Sequence, residues 1–206
     1  MALGTYTQIK EAIADWLDRG DLDARIPDFI RLAELRVYRE LRVSGMEFVS
    51  TVTSTAGTNY ITKPTDSLEI KSLVLKGDVE KPLKRVSYRD QPKSSRTGIP
   101  STYSSRADSL ILYPAVETTS SFEMVYYKNP GSIVDDSNGV NWFTENAPDL
   151  LLYGALLEAS PYLKDDDRIN IWRAAFVESM DKIQSSYDRD EWSGSGVNIV
   201  TTSGNY

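Results

Sequence analysis

The sequence predicts an α+β fold: a bundle of N- and C-terminal helices with an inserted antiparallel β-sheet or small sandwich, and an extended C-terminal arm. Three observations predict it. Apolar residues recur every three or four positions before residue 44 and again after residue 148, the period of amphipathic helices. Between residues 48 and 127 the pattern changes to short, alternating, β-branched runs separated by turn residues. Those runs are evenly spaced and have no helices between them, which favours antiparallel pairing over a parallel sheet. The expected boundaries are 1–45 for an N-terminal helical hairpin, 46–130 for the β insertion, 131–192 for the helices that complete the bundle and 193–206 for the arm.

The elements follow in order. Thr5 and Gln8 have capping-box spacing, and Ile9, Ile13, Trp16 and Leu17 form one apolar stripe that Gly20 is expected to end. Pro27 suits the first turn of the next helix, where its missing N–H costs nothing, and Asp28 sits at the positive end of the helix dipole. Ile30, Ala33, Val37 and Leu41 make its buried stripe, widened by Phe29 and Leu32. Arg31, Glu34, Arg36, Arg39, Glu40 and Arg42 read as a mixed-charge outer face, and the helix is expected to run to Ser44-Gly45. So short a loop between the two helices predicts an αα-hairpin.

Residues 48–53 and 59–62, either side of a Thr-Ala-Gly-Thr turn, read as a β-hairpin. Further strands are expected at 69–76, 83–88, 102–105, 109–113 and 122–127, with an exposed loop over 89–101 that is rich in Pro, Gly, Ser and charge. A helix starts near Pro148, with Leu151, Leu152, Ala155, Leu156 and Ala159 buried, and Pro161 stops it. The last helix is expected to begin at Asp165 or Asp166, with Ile169, Trp172, Phe176, Met180 and Ile183 at helical spacing. In the arm, Val197–Thr201 is a short β-capable run that suits strand addition to a neighbour.

Composition narrows the chemistry. The chain has 206 residues, with no cysteine and no histidine. Disulfides, thiolate metal sites and histidine-based catalysis are therefore excluded. No basic leader precedes the first helix, and the apolar run 150–157 is far shorter than the roughly 20 residues a membrane span needs, so no membrane partner is expected. A net charge of −7 argues against non-specific nucleic-acid binding. The charge is uneven. Lys76, Lys81, Lys84, Arg85, Arg89, Lys93, Arg96 and Arg106 dominate one stretch, whereas 145–192 holds eleven acidic against five basic residues. Such asymmetry suits head-to-tail association of copies, or an acidic partner for the basic part.

The motifs that would carry catalysis or cofactors are missing. Neither a Gly-rich phosphate loop nor a dinucleotide fingerprint is present. The Asp165–Asp167 run lacks the spacing and central glycine of a calcium loop and fits a helix cap instead. No catalytic, cofactor-binding or metal residue is assigned, and no cofactor is expected. Two alternatives stay open at this point: a carboxylate-based cell-wall hydrolase, and a DNA-binding module using the basic stretch 76–106.

Two blocks carry a family resemblance: Ile26-Pro27-Asp28-Phe29-Ile30 with Leu32-Ala33-Glu34, and 157–166, Leu-Glu-Ala-Ser-Pro-Tyr-Leu-Lys-Asp-Asp. In this order and spacing, over nearly the whole chain, the sequence resembles the head-to-tail adaptor proteins of tailed bacteriophages, related to tail tubular protein A. The resemblance implies a virion structural protein at the head–tail junction, assembled in the host cytoplasm. It implies a twelve-copy ring under the portal protein, contact with a downstream tail or nozzle protein, and double-stranded DNA passing through the channel without specific binding. It also implies an arm that reaches the portal, here Val197, Asn198, Ile199, Val200, Thr201 and Tyr206. The charged groups Arg31, Glu34, Arg36, Arg39 and Arg42, with Lys84, Arg85 and Arg89, are the expected subunit-interface residues.

Overall fold

A computed structural model describes residues 3–92, 96–163 and 167–192. The helices from the two ends of the chain share one core. They are α1 (Tyr6–Leu17), α2 (Ile26–Glu40), α3 (Trp142–Asn146), α4 (Pro148–Glu158) and α5 (Arg168–Trp192). The arm and the Asp165-Asp166 start expected for the last helix lie outside the described residues.

Thr5 caps α1 by accepting a hydrogen bond from the Gln8 N–H at 3.4 Å, while the Gln8 side chain turns back to the Gly4 N–H at 2.9 Å. The reciprocal half of the expected box is thus displaced by one residue. Asp18, not Gly20, ends α1: it adopts a left-handed conformation at φ 50° and donates its N–H to the Ala14 carbonyl. Asp tolerates this conformation better than most side-chain-bearing residues. α2 carries Pro27 in its first turn and stops at Glu40, before Ser44-Gly45. Leu41 and Val43 are both buried, two residues apart, and only an extended chain points both inward.

α4 is the axis of the bundle. Sequence periodicity suggests one buried face, but Leu150, Leu151, Leu152, Gly154, Ala155, Leu156 and Leu157 are all buried. A helix apolar on all sides must be surrounded, and α1, α2, α3 and α5 surround this one. The closest approach is at Gly154, where an added Cβ would lie 2.9 Å from the Ala33 Cβ and 3.3 Å from the Phe176 ring. On α5, Trp172 and Phe176 are buried, and Ile169, Met180, Ile183 and Tyr187 are partly covered by the same core.

The β part is a sandwich of two four-stranded sheets. Its strands are β1 (Glu47–Ser54), β2 (Tyr60–Thr62), β3 (Ser67–Leu75), β4 (Lys81–Pro82), β5 (Lys84–Arg85), β6 (Thr97–Gly98), β7 (Thr102–Arg106), β8 (Ser109–Tyr113), β9 (Ala115–Val116) and β10 (Ser120–Lys128). One sheet has the order β1-β10-β3-β4 and the other β2-β8-β7-β5; β6 and β9 form a separate pair. The hairpin expected from 48–53 and 59–62 does not form. β1 pairs with β10 along its whole length and β2 pairs with β8. The turn between them, with Gly57 at φ 78°, is a corner that carries the chain from one sheet to the other. The run 83–88 contributes only β5, paired in parallel with β7. Ile61, Leu73, Leu110, Leu112, Phe122 and Met124 fill the space between the sheets. Leu68 and Tyr127, from β3 and β10, pack against the helical core and join the two parts.

Candidate assembly surfaces

The inward side of α2 is more than an apolar stripe. Glu34 is buried, and its Oε1 accepts the Ile133 N–H at 2.9 Å. One turn on, Tyr38 donates its hydroxyl to the Gly131 carbonyl at 2.5 Å, and Asn141 Nδ2 donates to the same carbonyl at 2.9 Å. One turn back, Arg31 pairs with Asp135 at 2.7 Å. Arg31, Glu34 and Tyr38 together hold the connection that returns the chain from the sandwich to the bundle. Burial raises the Glu34 carboxyl above its ordinary range, against the hydrogen bonds of Ser132 and Ile133 that lower it. Burial pushes the Tyr38 hydroxyl strongly upward as well. The outer-face reading of Glu34 is therefore corrected. Position 34 lies one turn after Ile30 and one turn before Tyr38, and its place on that stripe signals burial despite its charge.

The remaining residues singled out from the sequence fall into five groups. Arg31 and Arg36 are half-exposed and fixed within the chain, Arg31 by Asp135 and Arg36 by the Glu158 carboxylate of α4. Arg42 lies beyond α2, donates to the Tyr38 and Leu41 carbonyls and sits 3.5 Å from Glu69. Glu69 also lies 3.4 Å from Arg85, so it links bundle and sandwich. Lys84, Arg85 and Arg89 are exposed on the sandwich part of the chain. Arg39 is exposed and, among the described residues, forms no ion pair. Val197, Asn198, Ile199, Val200, Thr201 and Tyr206 lie outside the described residues.

Two outer helical faces stand open. Leu32 and Leu35 are about half-exposed on α2, between Asp28 and Arg39, so the expected burial of Leu32 is corrected. Positions 28, 32, 35 and 39 follow one ridge of the helix. On α5, Ile171 is 67% and Val177 51% exposed. A shallow groove of about 670 Å³ runs along this helix past Ala174, Val177, Asp181, Lys182 and Ser185. Glu178 and Lys182 pair with each other at 2.5 Å, whereas Asp181 forms no ion pair among the described residues. Sequence periodicity could not separate these apolar positions from the core, because both ridges border buried stripes.

Among the described residues no group of three or more acidic side chains is arranged to hold a metal ion. A pocket of about 120 Å³ in the sandwich, lined by Lys63, Glu69, Arg85 and Tyr103 among others, is smaller than the roughly 300 Å³ at which ligand sites begin. No described helix is long and apolar enough to cross a membrane.

A closed bundle with exposed apolar positions on α2 and α5, and no described pocket of ligand size in the sandwich, offers surfaces for association. The chain is a member of the SU10 adaptor protein family, whose family model matches residues 4–200. This is a family of phage head-to-tail adaptors, which gives the chain a structural role as a virion component that binds portal and tail proteins in general. No curated protein matches the chain.

Proposed function

We propose that copies of this chain form a ring, twelve in number, that docks beneath the portal of the capsid and continues the DNA channel toward the next tail component. Family membership over residues 4–200 carries the reading. A ring needs a heterologous contact, with one surface of each copy meeting a different surface of the next. The open faces of α2 and α5 supply two such surfaces on one rigid core. Leu32 and Leu35 of one copy meet Ala174 and Val177 of the next, and Arg39 finds Asp181, neither of which forms an ion pair among the described residues. Arg31 and Arg36, held by Asp135 and Glu158, flank this ridge, while Glu34 stays inside the fold.

Residues 193–206 form the portal-binding arm, and Lys84, Arg85 and Arg89 face an acidic neighbour on the tail side. Acidic residues of 145–192 in the channel wall let DNA pass without anchoring its phosphates. The test is electron microscopy of portal-bearing particles incubated with the purified protein. The expected result is a ring of added density under the portal. A protein that stays monomeric and leaves the particles bare would overturn the proposal.

A further inference from the structure

The small recess in the sandwich reaches between its two sheets, beside Leu68, which packs against the helical core. From one sheet β3 supplies Glu69; from the other β5 and β7 supply Arg85, Tyr103 and Ser105, and Lys63 follows β2. At about 120 Å³ it is too small for an organic ligand and has room for a single tetrahedral oxyanion. Its polar groups are poorly matched to one another. Lys63 donates from Nζ to the Ser105 hydroxyl at 2.7 Å and to the Ala107 carbonyl at 2.6 Å. Both partners are neutral, and Lys63 forms no ion pair among the described residues. An ammonium has three N–H groups, so one is left over, and Ser105 keeps its own O–H to donate.

Tyr103 is the second observation. It is 2% exposed, yet its hydroxyl has no hydrogen-bond partner among the described residues. A buried hydroxyl left unpaired costs free energy, and native folds rarely keep one without a use. Burial raises this hydroxyl above its ordinary range, while Arg85 pulls it down and Glu69 pushes it up. It therefore stays protonated, as a donor, beside both charges. Arg85 stands half-exposed at the rim and reaches Glu69 only at 3.4 Å, and Glu69 is shared with Arg42 at 3.5 Å. Lys63, Arg85 and Arg42 thus face one carboxylate, and no other acidic side chain lines the recess among the described residues. Asp66, the nearest acidic neighbour in sequence, is taken by Lys128 at 3.5 Å and Tyr126 at 3.2 Å.

We propose that this recess binds a small tetrahedral oxyanion that still carries a proton, inorganic phosphate being the simplest. Lys63, Ser105, Tyr103 and Arg85 donate to its oxygens, and the hydrogen bonds are strengthened by its charge. Glu69 accepts the remaining O–H of the anion. That acceptor also selects: sulfate, fully ionised at neutral pH, has no proton to offer and meets Glu69 as a like charge. A bound anion ties β3 to β5 and β7, so it stabilises the folded sandwich. The site does not depend on ring formation.

The test is titration of the full-length protein with inorganic phosphate at neutral pH, followed by amide NMR shifts, with sodium chloride holding the ionic strength constant. Saturable shifts of the Lys63, Arg85, Tyr103 and Ser105 amides at millimolar phosphate are the expected result. Sulfate is expected to bind about tenfold more weakly or worse. Tyr103→Phe and Lys63→Met should each weaken phosphate by about tenfold, with the amide signals of α4 unchanged to show an intact fold. Lys10→Met, on α1, should leave the affinity as it is. Shifts that do not saturate, that spread evenly over the surface lysines and arginines, or that sulfate reproduces at equal concentration would overturn the proposal. So would an unchanged affinity in Tyr103→Phe, which removes one oxygen and keeps the ring in the core.

Discussion

The bundle and the sandwich solve the problem of burial in opposite ways. The bundle recruits helices from both ends of the chain around α4, which is covered on every side. The sandwich is built from one continuous segment and, among the described residues, leaves Phe48 and Val49 of its outer strand β1 about half-exposed. The bundle is closed because its parts come from remote sequence and meet at tight points such as Gly154 against Ala33. In the sandwich, β1 lies at the end of its sheet with β10 as its one paired neighbour among the described residues. A closed core beside exposed edges suits a protein whose surfaces are completed by partners.

That contrast can be strained by mutation. Leu156→Ala, at a fully buried site in the bundle, is expected to cost about 2–5 kcal/mol. Tryptophan fluorescence in urea reports this loss, because all four tryptophans (16, 142, 172 and 192) lie outside the β insertion. An unchanged midpoint would mean that α4 is not the axis. Glu34→Ala removes the acceptor of the Ile133 N–H and should cost about 1–3 kcal/mol by the same assay.

Glu34 also sets a pH dependence. Its folded-state carboxyl is raised above the ordinary value of 4.5, so its contribution to stability is full below that value and is lost as pH rises through the folded value. Glu34→Gln removes this term. The stability of the natural protein relative to Glu34→Gln should therefore fall as pH is raised, and a difference that rises with pH would reverse the assignment. Arg36→Ala breaks a half-exposed pair with Glu158 and is expected to cost less than about 1 kcal/mol. Arg39→Glu, on the outer ridge, should change stability by no more than about 0.5 kcal/mol. It should nevertheless abolish assembly on portal-bearing particles, as read by sedimentation.

Much of the bundle could be read from the sequence because its physics is local. Pro27 and Pro148 mark helix starts, and the 172, 176, 180 and 183 spacing marks the inner stripe of α5. Tertiary context overrode the local signals elsewhere. Asp18 ended the helix two residues before the expected Gly20, and Leu41 left the helix so that it and Val43 could both face inward. Strand partners were the least readable, since alternation in β1 gives its faces but not its neighbour: β10, nearly seventy residues on, displaced the adjacent β2. For the assembly surface, charge misled at Glu34 and hydrophobicity misled at Leu32, because burial depends on which helices arrive from the other end of the chain.

The account turns on whether copies meet through α2 of one and α5 of the next. Leu35→Cys and Val177→Cys in one otherwise cysteine-free chain test this directly, by oxidation of assembled particles and denaturing electrophoresis. A ladder of disulfide-linked multimers ending at the twelve-copy band is the predicted result. Assembled particles that yield only monomer, or that stop at a dimer, would contradict it.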